Sequence, residues 1–478
     1  YLITIKNPQY NTMENKYKIC ITLAIYCGVI NSLSIRQRKD CVLDDTLVKE
    51  IKSYKNITEK IIKDIKTKFG SRMFSEFIDK FGARPSGSNV LENSIDYMIN
   101  LTIESGITNI TTEEVEVPHW VRGTESLEML QPRYKKLAII GLGSSIPTPR
   151  EGITAEVIVV KTFKELNDLK NEEVQGKIVL FDEQYTSYGE TVIYRVQAAT
   201  KAARKGAVAS LIRSVTPYSL YTTHTGSQHY DKDVPKIPTA AITVEDAHLL
   251  RRLFIRGNKI VLKLYMESIY STKKSRNTII DLKGVADPDK YVIVSGHIDS
   301  WDVGQGAMDD GGGMMISWFT PVILNHLELR PKRTVRAILW TSEEPGLVGA
   351  AAYLKQHIDE LNKINFIMES DDGTFEPLGL EVAGSKDAIC IIAEILKLFT
   401  PIDKLVISKY PGSDITLFIN KGIPGASLLN KNDNYFRYHH SEADTMDVES
   451  IDDVVNCAAF WAAVSYVIAD ISVDIPRH

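Results

Sequence analysis

Residues able to hold a metal recur where the chain leaves a run of β-forming residues. Gly296-His297-Ile298-Asp299 follows one such run, Thr341-Ser342-Glu343-Glu344 a second and Glu369-Ser370-Asp371 a third. An Asp309-Asp310-Gly311-Gly312-Gly313 turn and a His439-His440 pair complete the pattern. A lone acid or histidine at a strand end is usually an ordinary loop residue; the joint occurrence is what carries weight. Imidazole nitrogen and carboxylate oxygen are donors that zinc accepts. Cysteine is absent from all of these motifs, which speaks against a closed structural site and for a catalytic one with open coordination positions.

Donors this far apart in sequence need a frame that brings their loops to one edge. From about residue 275 the pattern alternates: strands over 291–295, 334–340, 365–368 and 425–429, and helices over 314–327, 347–361, 389–399 and 454–468. This predicts an α/β fold, a mostly parallel mixed sheet flanked by helices, with ligands beyond the carboxyl ends of its strands. Residues 43–69 and 91–104 read as helices and 111–117 as a strand, so 35–119 opens the same domain. Between 120 and 272 short strands at 155–160, 176–181 and 207–212, with a helix over 194–204, predict a smaller inserted domain, after which 273–478 completes the main one. No internal repeat is visible.

With 478 residues the chain can bury two cores. A net charge of -5 leaves no basic excess for a phosphate backbone, so nucleic acid is not an expected partner. Met13, a short lysine-containing stretch and the apolar run 19–30 read as a signal peptide cleaved after Ser34, with residues 1–12 upstream of it and no lasting membrane insertion. Asn-x-Thr acceptors at Asn56, Asn100 and Asn109 agree with a secreted or lumenal glycoprotein. Beyond the leader, Cys41, Cys390 and Cys457 permit at most one disulfide, and the pairing stays open.

The run from His297 to Gly313, Leu339-Trp340-Thr341-Ser342-Glu343-Glu344 and His439-His440-Ser441-Glu442-Ala443-Asp444-Thr445 closely resemble the M28 family of metallopeptidases, in its carboxypeptidase Q branch. The resemblance extends to Arg84-Pro85-Ser86-Gly87-Ser88, and the inserted domain resembles a protease-associated (PA) domain. It implies a dizinc exopeptidase or dipeptidase acting on short peptides, with a defined ligand set. Asp309 bridges two Zn2+ ions roughly 3.5–4 Å apart, His297 and Asp371 complete one, and Glu344 and His440 the other. Asp299 matches the carboxylate that orients the histidine, Glu343 the general base, and the Asp309-Asp310 bond is often cis in the family. His439 falls where relatives place an oxyanion-stabilising group, and Ser413 and Asp414 match a substrate-lining segment. A homodimer is also implied. Pro345, Asp372 and Glu442-Ala443 depart from the pattern and bear on specificity. The alternatives are a one-zinc glutaminyl cyclase-like transferase and a catalytically inactive binding ectodomain.

Overall fold

The structure, a computed structural model, describes residues 41–68 and 71–477, so the expected leader and its cleavage point lie outside them. The chain divides into two units, and the strands Ile110–Gln131 and Val261–Leu282 run through both divisions, at 123/124 and 267/268. The strand expected over 111–117 therefore continues well past the boundary placed at 119, because extended backbone carries the chain from one unit into the other.

In the unit that holds the candidate donors, Val292, Ile293 and Val294 are fully buried, as a parallel strand covered on both faces requires. Their strand, Asp287–His297, lies between Arg333–Trp340 and Ile364–Glu369 and is parallel to both. Gly425–Asn430 joins Ile364–Glu369 in parallel, whereas Pro377–Ala383 and residues 278–282 pair antiparallel at the next positions on either side. Trp340 pairs with His297 and Glu369 with Ser295, so neighbouring strands end nearly level and release their loops on the same edge. The strands Pro377–Ala383 and Lys404–Ile407 were not expected from the sequence; neither shows a long regular apolar alternation.

Helix Ile451–Asp470 is apolar and long enough to cross a membrane by composition, but Phe460, Trp461, Ala462 and Ala463 are buried in the core of this unit. Its Trp461 indole donates to Ser317 Oγ (3.1 Å), which donates to Ser295 O (2.8 Å), tying this helix and Gly312–His326 to the central strand. The helix expected over 43–69 is divided at Tyr54 into Asp45–Ser53 and Lys55–Lys68, the Tyr54 hydroxyl donating to Asp470 (2.9 Å). The one expected over 347–361 stops at Gln356 and continues as a 3-10 turn, Ile358–Lys363.

The other unit, Thr124–Glu267, orders residues 261–264, Ile153–Val160, Ile178–Phe181, Ala209–Arg213, Thr239–Ile242 and Ile139–Gly141 across one sheet. Its core gathers Val157, Ile178, Leu180, Leu211, Ile242 and Leu250. Helix Tyr188–Arg204 starts earlier than the apolar pattern suggested, because the Ser187 side chain accepts from Glu190 N and caps it.

Cys41 and Cys390 form a disulfide, and Cys457 is a buried thiol whose Sγ donates to Phe375 O (3.0 Å). Peptide mapping without reduction should recover a Cys41–Cys390 crosslink. Cys390→Ser should lower unfolding free energy by about 2–4 kcal/mol in a denaturant titration; an unchanged midpoint would contradict that contribution.

Candidate metal centre

His297 ends the central strand and is fully buried. Its Nδ1 lies 2.9 Å from the main-chain oxygen of Asp299, while Nε2 sits 3.0 Å from Asp371 Oδ1 and 3.2 Å from Asp309 Oδ1. The second oxygen of Asp309 turns the other way, 3.2 Å from His440 Nε2, and that nitrogen is 3.0 Å from Glu344 Oε2. The five expected donors are thus brought together as two groups that share Asp309. Left-handed backbone at two non-glycine positions, Ser342 (φ 57°) and His440 (φ 59°), marks strained turns beside these donors. The Asp309-Asp310 bond is cis.

Asp299 orients His297 through its carbonyl, with its carboxylate farther off at 3.7 Å from Nδ1, which differs from the expected carboxylate-to-imidazole contact. The carboxylate is already committed: Oδ1 accepts from Glu343 N (2.9 Å) and Oδ2 from Glu344 N (3.3 Å), fixing the turn that separates the two glutamates. The same device recurs at acids that sequence reasoning missed. Asp310 accepts from His297 N (3.0 Å) and Gly313 N (3.1 Å). Asp444 accepts from Ala307 N (3.1 Å), Met308 N (2.8 Å) and Asp309 N (3.2 Å). Glu369 accepts from Asp414 N (3.1 Å) and Ile415 N (3.3 Å). Each of them sits in the same motif as a predicted donor, and that adjacency was the available signal.

His439 stacks on His440 with centroids 3.5 Å apart, and its Nε2 is 3.6 Å from Asp309 Oδ2. Ser413 Oγ donates to Asp371 Oδ2 (2.6 Å), so it steadies a donor. Asp414 is fully buried, with neither carboxylate oxygen hydrogen-bonded, and in this arrangement is withheld from solvent. Of the departures, Glu442 accepts from Gly304 N (3.1 Å), and burial followed by repulsion from Asp371 pushes the Asp372 carboxyl up to about 7.

Burial alone would depress both imidazoles. For His297, Asp371, Asp299 and Asp309 outweigh it and hold the group well above its ordinary value; for His440, Glu344 and Asp309 push it up to about 9. Burial reinforced by neighbouring acids raises Glu344 to about 7 and Glu343 well above the carboxylate range. The Asp299 carbonyl can only accept, so His297 Nδ1 carries a proton and Nε2 is left facing two carboxylate oxygens. A lone pair there is repelled unless a proton or a cation lies between. The donor atoms of His297, Asp309 and Asp371 lie within 4.8 Å of one another, as do those of Asp309, His439 and His440, and all are nitrogen or carboxylate oxygen. The residues therefore fit zinc.

A strand-end cluster of buried carboxylates and imidazoles in an α/β frame defines a metallopeptidase-type centre. Residues 277–465 match peptidase family M28 and residues 153–250 match the PA domain. The chain is 48% identical to carboxypeptidase Q of Xenopus laevis over 461 residues, 95% of this chain and 97% of that one. It is 49% identical to carboxypeptidase Q of Homo sapiens over 402 residues, 84% and 85% of the two chains. A crystal structure of an M28 peptidase precursor from Shewanella amazonensis superposes with a TM-score of 0.85 at 29% identity, covering 89% of this chain and 99% of that one. The chain belongs to peptidase family M28, with an accompanying PA domain.

Because His297 and His440 are held protonated near neutrality, zinc must displace protons to bind them. Calorimetry in buffers of different ionisation enthalpy should register release of at least two protons per chain at pH 7, with Glu344, raised to about 7, adding a fraction of a third. The number should fall as the pH rises through about 9, where His440 loses its proton. Zinc uptake without proton release at pH 7 would mean that the ion binds elsewhere.

Proposed function

We propose that this protein is a zinc-dependent exopeptidase that cleaves short peptides, with two zinc ions held by His297, Asp309, Glu344, Asp371 and His440 and with Glu343 as general base. The observation that carries this reading is the sharing of one carboxylate, Asp309, between the His297–Asp371 and His440–Glu344 groups. A one-zinc transferase would leave the second group without a use.

Zinc held by these donors supplies Lewis-acid chemistry, polarising a carbonyl and easing deprotonation of water. Glu343 is the acid beside the donors that is left for proton transfer. Asp299 grips the main-chain N–H groups of both glutamates, so Glu344 is committed to His440 while the Glu343 side chain stays available. Glu343 takes the proton of the attacking water on its carboxylate and delivers it to the nitrogen of the leaving amine. Burial, Asp371, Glu344 and Asp299 favour its protonated form, which suits a group that must hold the proton between the two transfers. His439, stacked on His440, is the group assigned to donate to the developing oxyanion, and its closeness to Asp309 supports that role. Ser413, which donates to Asp371, and the neighbouring Asp414 are the residues assigned to line the substrate pocket. The Cys41–Cys390 disulfide supports an oxidising, secreted or lumenal setting.

Glu343→Gln should retain wild-type zinc content while hydrolysis of a dipeptide panel falls by about 10^2–10^4-fold. Turnover unchanged in that variant would rule out the assigned base. Comparison of free with acetylated or amidated peptides tests the exopeptidase assignment, since equal cleavage of end-blocked substrates is incompatible with it.

A further inference from the structure

Arg84 takes no part in the donor set, yet it is fully buried. A buried guanidinium needs acceptors for its N–H groups. Here Nε donates to Ile298 O (2.7 Å), Nη1 to Gly82 O (2.7 Å) and Gln305 O (2.8 Å), and Nη2 to Gly306 O (2.8 Å). Its main-chain N donates to Ser300 Oγ (2.9 Å), and its carbonyl accepts from Ser300 N (3.1 Å). The Phe77 ring lies 5.3 Å from the guanidinium carbon.

Apart from Gly82 O, the guanidinium's acceptors come from both ends of one loop. Ile298 immediately follows His297, and Gln305 and Gly306 lead into the turn that carries Asp309. One planar fork therefore fastens the loop where it leaves the first donor and where it reaches the second. The fit is close: Gly306 has φ +59°, and a Cβ there would lie 2.4 Å from the Ser300 Cβ and 3.0 Å from Arg84 Nη2. The charge is kept, since burial lowers the group to about 10 while Asp444, Asp299, Asp310 and Asp309 oppose that fall.

We propose that Arg84 is a positioning residue for the metal centre, its guanidinium latching the 298–306 loop so that His297 and Asp309 stand at the spacing zinc requires. The proposal rests on the zinc reading above. Arg84 touches neither the metal donors' ligating atoms nor a substrate, so its influence passes through the loop.

Arg84→Lys keeps a charge but loses the fork. Zinc dissociation constants, measured by competition with a chromophoric chelator, should rise by about 10–100-fold in this variant. Ser300→Ala removes the acceptor of Arg84 N and the hydroxyl that donates to Trp301 O while leaving the guanidinium bonds in place, so it should weaken zinc by less than the roughly 10-fold lower bound expected of Arg84→Lys; equal weakening would place the effect on the main-chain contact and overturn the proposal. Phe77→Leu trims the packing around the guanidinium without touching its hydrogen bonds, and should lower the thermal midpoint of the metal-free protein with zinc affinity unchanged. Wild-type zinc affinity in Arg84→Lys overturns the proposal; should that variant not fold, wild-type affinity in Arg84→Gln does so. Equal weakening in Phe77→Leu also overturns it, because the effect would then be general destabilisation. A wild-type protein that takes up no zinc is a separate outcome that removes the metal reading and this inference with it.

Discussion

The carboxylate of Asp309 faces His297 with one oxygen and His440 with the other, and the rest of the unit is arranged around keeping it there. A carboxylate can serve two cation sites only if it can neither rotate nor drift. Asp444 grips the main-chain N–H groups of residues 307–309, and Asp310 binds the chain to His297 N and Gly313 N. Burial of Asp309 raises its proton affinity, but His297 and His440 more than reverse this, so it remains an anion in the metal-free protein.

The acids around it pose an electrostatic problem that hydrogen bonds only partly solve. Asp299, Asp310, Asp444 and Glu369 each accept from main-chain N–H groups of a neighbouring loop, so negative charge close to the donors also fastens loop to loop. Even so, burial and mutual repulsion lift Glu369 and Asp444 to about 8. Raised proton affinity among clustered acids is the electrostatic signature of a site that favours positive charge.

Sheet register turns separate motifs into one centre. His297, the Glu343–Glu344 turn and Asp371 emerge from adjacent parallel strands that end nearly level, so loops far apart in sequence open on the same edge. The frame is held by a dry core in which Trp461 reaches Ser317 and Ser317 reaches the central strand. The PA unit has its own hydrophobic core.

Much of this was legible in the chain itself. Side-chain type and local periodicity are written in the sequence, so the candidate donors, the strand–helix alternation and the inserted unit could be read from it. So could the limit of one disulfide among Cys41, Cys390 and Cys457. Facts that depend on residues distant in sequence could not be read, because nothing local encodes which partner folding will bring. Tertiary structure decided that Cys41 pairs with Cys390, that Asp299 spends its carboxylate on the main chain of residues 343 and 344, and that Asp414 is buried. It decided too that Arg84 closes a loop more than two hundred positions away. Chemistry is a property of residue types, whereas position is a property of the whole packed chain.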